Sequence, residues 1–181
     1  MRNHGALWLR CVAAMTLLCF LVPEASTGSI PSAPAVLSEI HTRGATAVLN
    51  EICGTPKWDQ ILTKIETGQS GWLDVAIALH PATDGGASEM LALAAGEALL
   101  HNPREVLMRV ASVLGIEGVC SGPDIDDPRY AIQQKAVSTL DARILAVARL
   151  KDRKLSDLRD SCLKLLRSEK ALLLSADGPY R

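Results

Sequence analysis

Aromatic residues are scarce in this chain: they make up 3% of 181 residues, with one Phe, three Trp and two Tyr. So few ring faces argue against recognition of sugars, bases or flat cofactors, which depend on stacking. An excess of one charge is lacking too. Nineteen Lys and Arg stand against twenty Asp and Glu, a formal charge of −1. That balance excludes the basic footprint of a nucleic-acid binder. At 48% hydrophobic residues, the chain is too apolar and too nearly neutral for a disordered tail. No G-x-S-x-G, G-x-G-x-x-G, P-loop or H-E-x-x-H occurs. No CxxC or close Cys/His set offers a zinc site. The residues therefore assign no catalytic set, no metal and no cofactor.

What is present begins with an address. Arg2 and Arg10 lead into an apolar run from Cys11 to Val22, interrupted by Thr16. Pro23 ends the run, and the small residues Ala25, Ser26 and Gly28 follow. This is the layout of a cleaved secretory signal over residues 1–28, with the cut after Ser26 or Gly28. The run is shorter than the roughly 20 apolar residues of a permanent span. The expectation is a periplasmic or secreted protein with no stable membrane insertion after cleavage. A cut after Ser26 leaves a charge of −2 and four aromatics: Trp58, Trp72, Tyr130 and Tyr180.

It also leaves three cysteines: Cys53, Cys120 and Cys162. An oxidising compartment lets one bridge persist and leaves one thiol over. Cys120 lies in a Gly- and Pro-rich loop, and Cys162 lies in a late amphipathic segment. Tethering loop to helix favours Cys120–Cys162, a closed loop of about 40 residues contributing roughly 3–4 kcal/mol. Cys53 precedes a turn and competes, and three buried, reduced thiols are the plain alternative.

Period-2 alternation is nearly absent, whereas helix punctuation is abundant. Thr55-Pro56, Asn102-Pro103 and Asp127-Pro128 each set a capping side chain before a proline. Glu105, at the third helical position after Asn102, resembles a capping box. The pattern predicts an all-α fold of about seven helices, near 34–52, 56–67, 71–80, 86–101, 103–114, 128–151 and 155–173. Val137, Leu140, Ile144, Val147 and Ala148 keep helical spacing, as do Leu155, Leu158, Cys162, Leu165 and Leu166. Helix starts recurring every 15–17 residues suggest stacked antiparallel pairs, as an irregular bundle or a short α-solenoid. One helical domain spans 34–174, between flexible ends at 29–33 and 175–181.

Several constellations could carry chemistry. Trp72, Asp74, His80 and Asp84 could line a partner groove, although Trp72, Val75, Ala76 and Leu79 also read simply as one buried face. Trp58 and Trp72, in the first turns of successive helices, could stack. Glu97 and His101 share a face at i and i+4, where they form either part of a metal site or an ordinary helix pair. Asp124, Asp126 and Asp127 suggest a calcium loop until Pro128 and Lys135 break the pattern, leaving Asp127 as a cap. Ser161 and Lys164 match S-x-x-K without its partner motifs.

The string Trp72-Leu73-x-Val75-Ala76-x-x-Leu79-x-Pro81-x-x-Asp84-x-Gly86 is followed by Asn102-Pro103-x-x-Val106-Leu107 and Val119-Cys120. Across about residues 55–120 this resembles a functionally uncharacterised family of small exported α-helical proteins of Gram-negative bacteria. The resemblance implies export, a helical fold and the Cys120–Cys162 pairing, and supplies no substrate or catalytic residue. The leading expectation is an exported module that binds another protein in the cell envelope, such as an inhibitor, immunity or adaptor protein, and does not bind nucleic acid. The alternatives are a small envelope hydrolase using His80, Asp84, Glu97 and His101, or a purely structural domain.

Overall fold

The structure is a computed structural model describing residues 31–175 and 179–180. The expected signal segment 1–28 lies outside the described residues, as do 29–30, 176–178 and 181. Among the described residues there are nine helices and no strand. They are α1 (Ala33–Arg43), α2 (Ala45–Ile52), α3 (Pro56–Glu66), α4 (Ser70–Leu79) and α5 (Gly85–Ala98). Then come α6 (103–114), α7 (Ile116–Val119), α8 (Gln133–Ala148) and α9 (Ser156–Leu174).

The expected count of about seven is low for two reasons. Gly44 adopts φ +86°, so the predicted helix 34–52 breaks there into α1 and α2. The predicted gap 115–127 contains α7, started by Gly115 at the same φ of +86°. Such left-handed backbone suits a residue without Cβ. The predicted helix 128–151 also starts late. Asp127 does cap, accepting the N–H of Arg129, but the turn Pro128–Tyr130 is 3₁₀ and stops there. Extended Ile132 then opens α8.

The other starts follow their caps. Thr55 accepts from the N–H of Lys57, and Asp84 from that of Ala87. Asn102 accepts from Glu105 N–H and also donates its amide to the Gly68 carbonyl at 2.9 Å, tying α6 to the α3–α4 turn. The Glu105 carboxylate turns to Arg104 and Arg109, so only half of the capping box forms. In the middle of α6, Val106–Val110 winds as a π-helical turn. That turn carries Arg109, whose guanidinium holds Asp74 on α4 and Glu105 on its own helix.

α1 packs chiefly on α4, α3 on α5, α7 on α5, and α8 on α9. The last two are antiparallel: Gln133 at the start of α8 donates to the Leu173 carbonyl near the end of α9, and Asp141 pairs with Lys170. One continuous core joins all of them, from Val36 and Ile52 through Ile61, Leu73, Leu91 and Leu107 to Leu140 and Leu166. Each fully buried Leu or Ile contributes roughly 1.5–3 kcal/mol. The expected α4 face is confirmed: Trp72, Val75, Ala76 and Leu79 are buried, with Leu73 added. On α8 the buried row is turned from the expected one, to Ala136, Leu140, Arg143 and Val147. On α9 it is Cys162, Leu163, Leu166 and Leu173, while Leu158 is exposed.

Among the described residues no helix is long and apolar enough to cross a membrane.

Candidate functional site

Of the four residues expected to line a partner groove, Trp72 and Asp74 lie on α4, His80 follows it and Asp84 precedes α5. Trp72 is buried, with an edge on a surface recess beside Pro31, Pro34, Lys64 and Gln69. Asp74 is held by Arg109. Asp84 is exposed and caps α5. His80 closes α4 through its backbone, and its Nδ1 is buried without a hydrogen-bond partner. Trp58 is buried and donates its indole N–H to Met90 Sδ at 3.4 Å. Ser161 and Lys164 are exposed on α9. Asp124 accepts the N–H of Asp126 in a local turn.

Glu97 departs from its expected place. The spacing joined it to His101, but His101 is exposed and Glu97 points inward. Its carboxylate meets Arg143 Nη2 at 2.6 Å, and the Tyr130 hydroxyl donates to the same oxygen. The Arg143 side chain is 1% exposed, and its Nη1 donates to the Ser121 carbonyl at 3.2 Å. Arg143 Nε is buried and has no partner. A buried charge must be matched by an opposite one and by hydrogen bonds, and here α5, α8 and the 3₁₀ turn each supply one member. Burial first, and the bond to Glu97 second, push the Tyr130 phenol up to about 12. Tyr180 braces this turn from the chain's far end, its hydroxyl donating to the Tyr130 carbonyl.

The α5 helix can bring Glu97 this close because Gly96 precedes it. A Cβ on Gly96 would stand 2.9 Å from the Val119 carbonyl oxygen and 3.4 Å from Arg143 Nη1. Just beyond Val119, Cys120 and Cys162 lie at disulfide distance, with Cα atoms 5.3 Å apart and both side chains buried. Cys53 is an exposed free thiol.

Above the Glu97–Arg143–Tyr130 network, a cleft of about 120 Å³ opens between α3, α5 and the loop before α8. Leu62, Met90, Leu93 and Ala94 form its apolar floor; Glu66, Glu97, Asp124, Asp127, Arg129 and Tyr130 complete its walls. Arg129 spans the mouth. Its two terminal nitrogens fork onto Glu66 at 2.9 Å each, and its Nε meets Asp127 at 2.7 Å. The guanidinium carbon lies 5.5 Å from the Tyr130 ring centre. Arg129 holds the Asp127 carboxyl below the usual carboxylate range, and Glu66 and then Asp127 hold Arg129 more firmly protonated.

Sequence reading found none of this cleft as a unit, because its members lie up to 68 positions apart, from Leu62 to Tyr130. The available signal was Arg143 itself, which occupies a core position in the row Ala136, Leu140, Val147. Among the described residues, no group of three or more His, Cys, Asp and Glu side chains is placed to hold a metal. No protein-family model, curated protein or solved structure matches the chain.

Proposed function

We propose that the protein is an exported helical module that binds another protein of the cell envelope, in the manner of an inhibitor, immunity or adaptor protein. The observation carrying this reading is the cleft over α3 and α5. It pairs an apolar floor, including half-exposed Met90, with three carboxylates that are each bonded to an arginine. Glu97 is held by Arg143, and Glu66 and Asp127 are held by Arg129. Carboxylates held this way present acceptor oxygens in fixed positions, as charge recognition requires. Methionine adds an adaptable apolar contact.

Export is supported by the order of Arg2, Arg10, the run Cys11–Val22 and the small residues after it, together with the Cys120–Cys162 pair. The stacking is better described as an irregular bundle than as a solenoid, because α1 packs chiefly on α4, three helices further on.

The test is expression of the full chain in a Gram-negative host, then crosslinking and affinity capture from the periplasm. The expected form begins after Ser26 or Gly28, is blocked to alkylation at Cys120 and Cys162 and labelled at Cys53, and retains one reproducible partner. An unprocessed cytoplasmic chain refutes export, and an empty capture refutes partner binding.

A further inference from the structure

We infer that the cleft between α3, α5 and the loop before α8 receives a single basic side chain from the partner protein, and that Arg129 fills the charged half of that site in the partner-free chain. The inference rests on the protein-binding reading and adds the chemistry of the contact.

Charge and shape support it together. Glu97 is neutralised from below by Arg143. That leaves Glu66, Asp124 and Asp127 around the mouth, with Arg129 the one cation among the lining residues. The rim therefore carries two negative charges more than its own arginine supplies. Below it lie Leu62, Met90 and Leu93, a surface for an aliphatic stem. Lysine and arginine are the side chains that join a long apolar stem to a cationic head. At about 120 Å³ the cleft is well below the roughly 300–1,000 Å³ typical of small-molecule pockets, which favours one side chain over a metabolite.

Arg129 shows that the rim accepts a guanidinium. It forks onto Glu66, bonds Asp127 and lies near the Tyr130 ring. Yet its side chain is 54% exposed, so it lies over the mouth. The contact is bidentate, with Glu66 and Asp127 only 21% and 20% exposed, so an incoming arginine replaces it by matching the same fork and also burying its own stem. Arg129 then swings into solvent, and Glu66 and Asp127 change guanidinium partners without becoming unpaired.

The test is an NMR titration of the ¹⁵N-labelled protein with end-blocked pentapeptides carrying one central Arg in an Ala background, and with matched Gln and Glu peptides. The Arg peptide should shift amides within 62–66, 90–97 and 124–130 saturably, and the Gln and Glu peptides should not. Arg129→Ala, which removes the internal competitor, should tighten binding about fivefold. The paired Glu66→Gln and Asp127→Asn substitutions should weaken it at least about tenfold. Both variants should still melt cooperatively, within about 5 °C of the wild type. Absence of saturable shifts with wild type and Arg129→Ala alike, equal binding of the Gln peptide, or weaker binding by Arg129→Ala overturns the inference. The wild-type titration decides the matter even if a variant fails to fold. A captured partner retained equally by wild type and the Glu66→Gln/Asp127→Asn variant leaves protein binding standing and overturns the assignment of this cleft.

Discussion

Arg143→Met is the most informative single substitution for the internal architecture. It removes a guanidinium that is 1% exposed and lies 2.6 Å from a Glu97 side chain that is itself only 11% exposed. What remains is a buried carboxylate with Tyr130 as its one donor, and a Ser121 carbonyl that has lost its Arg143 bond. Breaking a buried pair from one side costs about 3–5 kcal/mol, most of it the uncompensated charge. The orphaned carbonyl accounts for about 1 kcal/mol of that. Replacing both partners, as Arg143→Met with Glu97→Leu, removes the charge problem and leaves mainly the Tyr130 hydroxyl without an acceptor, a net cost of about 1–2 kcal/mol. The double variant should therefore be more stable than Arg143→Met alone. Urea unfolding followed by circular dichroism reads all four corners of the cycle, and the single variant should lose about 10 °C in melting temperature. A single-variant cost below about 1 kcal/mol, or a double-variant cost equal to the sum of the singles, refutes the reasoning.

Gly96→Ala should destabilise the fold by about 1–3 kcal/mol despite the helix preference of alanine, because the new methyl meets the Val119 backbone oxygen at 2.9 Å; a gain in melting temperature would show that α7 can retreat. In alkali, the folded state holds the Tyr130 proton more tightly than the unfolded chain does, up to about 12 against about 10. The stability this contributes is complete below pH about 10 and is lost as pH rises from there towards about 12. Tyrosinate absorbance should thus rise later in the native protein than in urea, and coincident titrations would contradict the burial of this phenol.

Where local chemistry decides structure, the residues declared it. Thr55-Pro56 and Asn102-Pro103 each start the helix their side chain caps, and Trp72, Val75, Ala76 and Leu79 form the face their spacing requires. Asp127-Pro128 shows the limit: the cap forms, but a cap starts a turn and does not fix its length, and the chain leaves helix within three residues. Gly115 ends the helix 103–114 where the sequence sets a break, whereas Gly44 is a break whose positive φ no neighbouring pattern announces. The Cys120–Cys162 pair was within reach because cysteines are few. The charged network was not, because Glu97 and Arg143 meet only through packing, and i+4 spacing offered Glu97 a nearer, wrong partner in His101. The groove suggested by Trp72, Asp74, His80 and Asp84 came from density of interesting residue types along the chain. In the fold Asp74 pairs with Arg109 and Asp84 caps its own helix.

The Cys120–Cys162 linkage closes 42 positions of chain into a covalent ring. Tyr130 and Arg143 lie on that ring, as do Asp124, Asp127 and Arg129, whereas Glu97, Glu66 and the floor of the cleft lie outside it. The cleft is therefore a seam between a ring and an open strand of polypeptide. A protease that nicks the loop between Ser121 and Ile132 cuts the ring without releasing either piece, so the rim stays tethered to the fold. Reduction alone leaves the chain continuous as well. Only the two events together leave the rim without a covalent link to its floor.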